Sequence, residues 1–253
     1  MDIERAVLLA PALVRRLFVA RPVSGVRSQP AEIGTVWRPE VTAGLPLIVV
    51  FSSEPRSMAW VASSLAAALP AVVVVAAAVD DPVHTLAEAQ LYAAELGADA
   101  GRVGIIGEGD ASAPALQAAT ASSPTSGSES TSASVSTSES ASESGPADRS
   151  VDRVALISPQ SLPASPAPPP PPTLLQFAQG GPRAAESEAW ERRVKLAGVA
   201  VRAIDYTAVG DGWVRYPRAI RGSRRAHTDL LAFFRRGLGN ESTFHVIPGW
   251  DLH

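Results

Sequence analysis

The residues best suited to chemistry gather in one short stretch, Gly107-Glu108-Gly109-Asp110-Ala111-Ser112, which follows a β-branched run and opens an alanine-rich one. That strand, turn and helix context is one in which phosphates, metals or nucleophiles are commonly held. Glu108 and Asp110, joined by Asp211 from a distant turn, could form a carboxylate cluster that invites a divalent cation. Acids on a glycine turn are more often simply solvated, and no metal is expected. Ser112 stands where a helix N-terminus would polarise its hydroxyl, yet its plainer role is to cap a helix beginning near Pro114. The Gly-x-Gly spacing loosely matches a dinucleotide turn, but the acid required about twenty residues later would fall in a serine tract, so no cofactor is expected. The four histidines, His84, His227, His245 and His253, are scattered, with His227 expected on the outer face of a helix. Trp190, Trp213 and Trp250 read as core or helix-packing residues rather than exposed binding aromatics.

The elements that must position these residues alternate regularly. Residues 47–51, 71–79 and 103–106 are apolar runs of buried-strand type. Helices are expected after each, at about 57–69, 85–96 (capped by Thr85 with Glu88) and 112–119. Residues 154–157 resume the sheet, and 174–177, 184–197 and 200–206 supply a further strand, helix and strand. A helix from about 223 to 238 ends at Gly239-Asn240. This is an α/β pattern: a mostly parallel central sheet with helices on both faces. Residues 4–18 place Val7, Leu8, Leu13, Leu17 and Phe18 near helical spacing, a lead-in helix that packs on the body or meets a partner.

One domain spanning residues 1–253 is expected, because 253 residues with 46% hydrophobic content suffice for one substantial core. Three stretches stand outside the alternation. Residues 121–150 are dominated by serine with Glu, Thr and Gly, too polar to offset ordering entropy, and read as a disordered insertion. Residues 160–172 form a proline-rich connector of polyproline II type, and residues 240–253 an irregular tail. The serine tract could accept phosphate and the proline run could dock on a protein partner, but a tolerated insertion and a stiff connector are the more economical accounts. A net charge of -3 gives no basic field for nucleic acid. With no cysteine there are no disulfides, thiolate zinc sites or thiol nucleophile. No apolar run is long enough to span a membrane, and the acidic start of the chain predicts a cytoplasmic protein.

Several segments, in order, resemble the hormone-sensitive-lipase-like branch of the α/β-hydrolase esterases. LGADAGRVGIIG (residues 96–107) resembles that family's approach to its nucleophile strand. VALISP (154–159), PTLLQ (172–176) and EAWERRVKLAGV (188–199) resemble later strands and a helix, and residues 206–217 and 224–238 its C-terminal end. The resemblance implies a Ser-His-Asp carboxylic-ester hydrolase on this fold. At the positions it assigns to the triad, this chain has Gly109 for the serine, Gly181 for the acid and Asp211 for the histidine. The family's glycine-rich oxyanion loop corresponds to Ser52-Ser53-Glu54-Pro55, and proline offers no N–H. Its cap would correspond to the proline-rich connector, so the cap is expected to be lost. By the same resemblance His84 is structural. Hydrolysis by the family mechanism is therefore not expected, leaving a binding or scaffold role; the alternative is residual ester hydrolysis through a non-standard nucleophile such as Ser112.

Overall fold

The computed structural model describes residues 21–40, 43–77, 81–122, 150–164, 168–181, 183–207, 209, 212–217 and 220–239. The lead-in helix, most of the serine tract, the tail, Asp211, His245, His253 and Trp250 lie outside them. The strands are β1 (Val26–Ala31), β2 (Gly34–Pro39), β3 (Leu45–Ser52), β4 (Val72–Ala77), β5 (Ala98–Glu108), β6 (Arg153–Ile157), β7 (Thr173–Ala178) and β8 (Val201–Tyr206). The helices are α1 (Ala59–Ala68), α2 (Pro82–Leu91), α3 (Ser112–Ala121), α4 (Ala184–Leu196) and α5 (Arg221–Leu238).

All eight strands form one sheet in the order β1-β2-β4-β3-β5-β6-β7-β8. Pairing is parallel from β4 through β8, while β2 joins β4, and β1 joins β2, antiparallel. α1 and α5 cover one face, and α2, α3 and α4 the other. The central strands are buried on both faces, as residues 47–51 are throughout, and their sequences are continuous apolar runs. α1 shows the same logic in helical form: its alanines, valine and leucine leave little polar surface because most of it is buried. α5 is amphipathic instead. Ala226, Leu230, Phe233 and Phe234 face the sheet while Arg221, Arg224, Arg225, Arg235 and Arg236 face solvent.

The expected mostly parallel sheet between two helical layers is therefore present. Three local expectations are corrected, and one element is new. The β1-β2 hairpin was not foreseen, since most of β1 is exposed on both faces and carries no alternation to read; Pro30 is tolerated there because the strand is an edge. α2 begins at Pro82 and is capped not by Thr85 but by Asp81, whose Oδ1 accepts the His84 N–H at 2.9 Å. α2 also stops at Leu91, five residues earlier than its pattern suggested. β5 starts at Ala98 rather than Val103, across a register shift opposite Pro46 and Leu47. Arg102 holds that irregular segment by donating to Asp99 and to the carbonyls of Leu238 and Gly44.

Candidate functional site at the carboxyl ends of the strands

β3 and β5 run parallel with Ser52 opposite Glu108, so both side chains emerge at the same edge of the sheet. The chain after β5 turns tightly through Gly109–Ala111 into α3. Gly109 has φ +65°, a left-handed conformation that costs an L-residue about 1 kcal/mol or more. No heavy atom of the described residues lies within 4 Å of where a Cβ would stand. The turn thus holds an open position that would strain any residue with a Cβ, and glycine occupies it without strain.

The turn is also tightly backed. A Cβ on Gly107 would lie 2.7 Å from the Cβ of Ala115 and 2.7 Å from the Cα of Ser112, so α3 can sit this close only on glycine. Gly107→Ala is expected to destabilise the chain by about 1–3 kcal/mol through displacement of α3, measurable as a lower urea midpoint; an unchanged midpoint would contradict that close approach.

Ser112 does not cap α3. It is the first residue of the helix, fully buried, and its Oγ donates back to the Gly107 carbonyl at 3.2 Å. The expected cap is corrected because the helix starts two residues before Pro114, closed by the short 3-10 turn ahead of it.

Glu108 is not a solvated acid, and that reading is corrected; the carboxylate cluster with Asp211 lies outside the described residues. Its side chain is 3% exposed and pairs with Arg215, whose Nη2 lies 2.9 and 2.8 Å from its two oxygens. The Ser52 hydroxyl donates to Glu108 Oε2 at 3.0 Å, and Ser52 Oγ in turn accepts the Glu54 N–H at 3.1 Å. Arg215 Nη1 reaches Glu54, which is 66% exposed. Burial works against the charge on Arg215, but Glu108 and then Glu54 beside it outweigh burial and hold the guanidinium above its ordinary value. Asp110 stays exposed. No group of metal-ligating side chains occurs among the described residues.

Arg215 arrives on a 3-10 turn, Trp213–Arg215, beyond β8. Trp213 locks that turn: its ring is buried, lies 5.0 Å from Tyr206, and its Nε1 donates to Ser158 Oγ at 2.7 Å. Ser223 at the head of α5 donates to the Val214 carbonyl at 2.9 Å. The turn is thus fastened to β6, β8 and α5 together. Trp190 is likewise buried, as its sequence context suggested.

Of the positions assigned by resemblance, Gly109 lies at the end of β5 and Ser52, Ser53 and Glu54 at the end of β3. Gly181 follows β7, where its carbonyl accepts the Ala184 N–H at the start of α4. Asp211 lies outside the described residues. His227 is not on an outer face but fully buried, its ring 4.6 Å from that of Trp60, with neither nitrogen hydrogen-bonded. His84 sits exposed in the first turn of α2. Among the described residues no serine hydroxyl is paired with a histidine nitrogen.

Comparison of the whole shape decides what kind of sheet this is. The chain matches an esterase of Pyrobaculum calidifontis at TM-score 0.65 and 18% identity, over 92% of this chain and 91% of that one. It matches EstE1, a thermostable carboxylesterase cloned from a metagenomic library, at TM-score 0.67 and 17% identity, over 93% and 95%. The fold is that of the α/β-hydrolase esterases. An esterase from the bacterial hormone-sensitive lipase family agrees, at TM-score 0.66 and 13% identity over 94% and 96% of the two chains. By sequence, neither a protein-family profile nor a curated protein matches. The turn after β5, which contains Gly109, joins strand to helix at the carboxyl edge of this sheet. No described helix is long and apolar enough to cross a membrane.

Sequence reasoning missed Arg215 and its pairing with Glu108. The two are 107 residues apart, so no spacing could join them. The available signal was chemical: Glu108 follows a run of buried apolar residues closely enough to be buried itself, and a buried carboxylate demands a cation.

Proposed function

We propose that this protein is a catalytically silent relative of the esterases, in which the crevice at the strand ends binds rather than hydrolyses. The observation that carries this reading is Gly109: an elbow with left-handed backbone and free space above it, but no oxygen to attack a carbonyl. The neighbouring machinery agrees. At the end of β3, where an oxyanion loop would present backbone N–H groups, the Glu54 N–H is taken by Ser52 Oγ and the next residue is Pro55. Glycine at 181 removes the acid, and Asp211 stands for the base. The proline-rich connector in place of a cap supports the same reading, since the residues described there add no helix or strand to enclose an acyl chain.

Hydrolysis through Ser112 is the competing reading. Its hydroxyl is fully buried and spends its proton on the Gly107 carbonyl, which disfavours it as a nucleophile. Purified protein given a short-chain nitrophenyl ester is expected to release nitrophenol at the uncatalysed rate, and Ser112→Ala at the same rate. Turnover by the wild type that disappears in Ser112→Ala would overturn the silent reading.

A further inference from the structure

The geometry points to Arg215 as the anchor of a binding site for a small organic monocarboxylate, which enters by displacing the Glu54 side chain. This rests on the reading of the crevice as a binding site. A guanidinium offers a planar fork of five donors matched to carboxylates. Glu108 holds Nη2 with both oxygens and is almost wholly buried, so its departure would strand a charge inside the protein. Glu54 holds Nη1 from the other side with two-thirds of its side chain in water, where it can be rehydrated freely.

The Glu54 backbone is fixed independently of that ion pair. Its N–H donates to Ser52 Oγ, and its carbonyl accepts both the backbone N–H and the hydroxyl of Ser57. The side chain can therefore swing out while the loop stays in place. Exchange of one carboxylate for another leaves the charge at Arg215 unchanged, so no proton needs to move. At the end of β5, Gly109 adds no side chain to the same sheet edge, and no heavy atom of the described residues lies within 4 Å of where its Cβ would stand. Glu54 thus acts as a resident internal occupant of a carboxylate site.

The test is an NMR chemical-shift titration of the full chain with sodium butyrate, against sodium chloride at matched ionic strength. Wild type is expected to saturate with a Kd on the order of millimolar. Glu54→Ala, which removes the competitor, is expected to bind butyrate about fivefold more tightly. Arg215→Lys keeps the charge but not the fork, and is expected to bind about tenfold more weakly while the rest of its spectrum stays native. Equal affinity in wild type and Glu54→Ala, no saturation in Glu54→Ala, or full affinity in Arg215→Lys would each overturn the inference. Ester turnover would instead overturn the silent crevice, whatever butyrate does. Absence of both turnover and butyrate binding defeats only the carboxylate site.

Discussion

Arg215→Met is expected to lower the unfolding free energy by about 3–5 kcal/mol, because it leaves Glu108 charged and buried with only the Ser52 hydroxyl for a partner. For a chain of this size that corresponds to a fall of roughly 10 °C in the melting temperature. The loss comes from the stranded carboxylate rather than from the missing guanidinium. The double variant Glu108→Gln with Arg215→Met should therefore recover more than half of it, since a neutral amide keeps the Ser52 contact without demanding a counter-charge. Thermal melts of the two single variants and the double variant form a cycle that isolates this coupling. A loss below about 1 kcal/mol in Arg215→Met would mean that the pair behaves as a surface salt bridge and does not organise the strand ends.

The second large effect is a pH dependence set by His227. Burial alone pushes its imidazole down to about 4, from an ordinary value of 6.5. α1, which stacks Trp60 against it, contains no ionisable side chain, and no described charge contributes to the shift. Between those two values the unfolded chain binds a proton that the folded chain refuses. Stability from this residue is thus fully present above pH 6.5 and is lost as the pH falls toward 4, by about 3 kcal/mol in all. His227→Leu should remove that slope. At pH 7 it should cost little, since neither ring nitrogen has a partner to lose. Urea titrations of both proteins at intervals from pH 7.5 to 4 test this, and parallel curves would show that acid acts elsewhere.

The two effects meet in α5. His227 seats that helix on α1, and Ser223 at its head holds the turn that carries Arg215. Tyr206 and Gln176 fasten its middle: the Tyr206 hydroxyl lies 2.9 Å from Asp229, and Gln176 Nε2 lies 2.9 Å from the Ala226 carbonyl. Burial and the neighbouring Asp229 push the Tyr206 phenol up, so it stays a neutral donor throughout this range. Acid that loosens α5 is therefore expected to loosen the grip on Glu108 as well.

The central strands and the order of the helices were legible in the chain because parallel strands buried on both faces must be uniformly apolar, and residues 47–51, 103–106 and 154–157 are. Element boundaries were less legible where a side chain rather than a pattern decides them, as Asp81 does for α2 and Arg102 for β5. The β1-β2 hairpin left no trace, since an exposed edge pair buries little that could impose a period.

At the site, sequence alone determined that position 109 carries only hydrogen and so supplies no attacking oxygen of its own, because no conformation can add an atom. Only the tertiary structure decided what the acids nearby are for. Whether Glu108 is solvated, metal-binding or ion-paired depends on which distant cation the sheet edge brings to it. That cation is Arg215, delivered by a turn held between β6, β8 and α5. The fate of His227 was less legible: it stands between Ala226 and the polar Thr228 at the edge of the apolar stripe of α5, and Trp60 from another helix completes its burial.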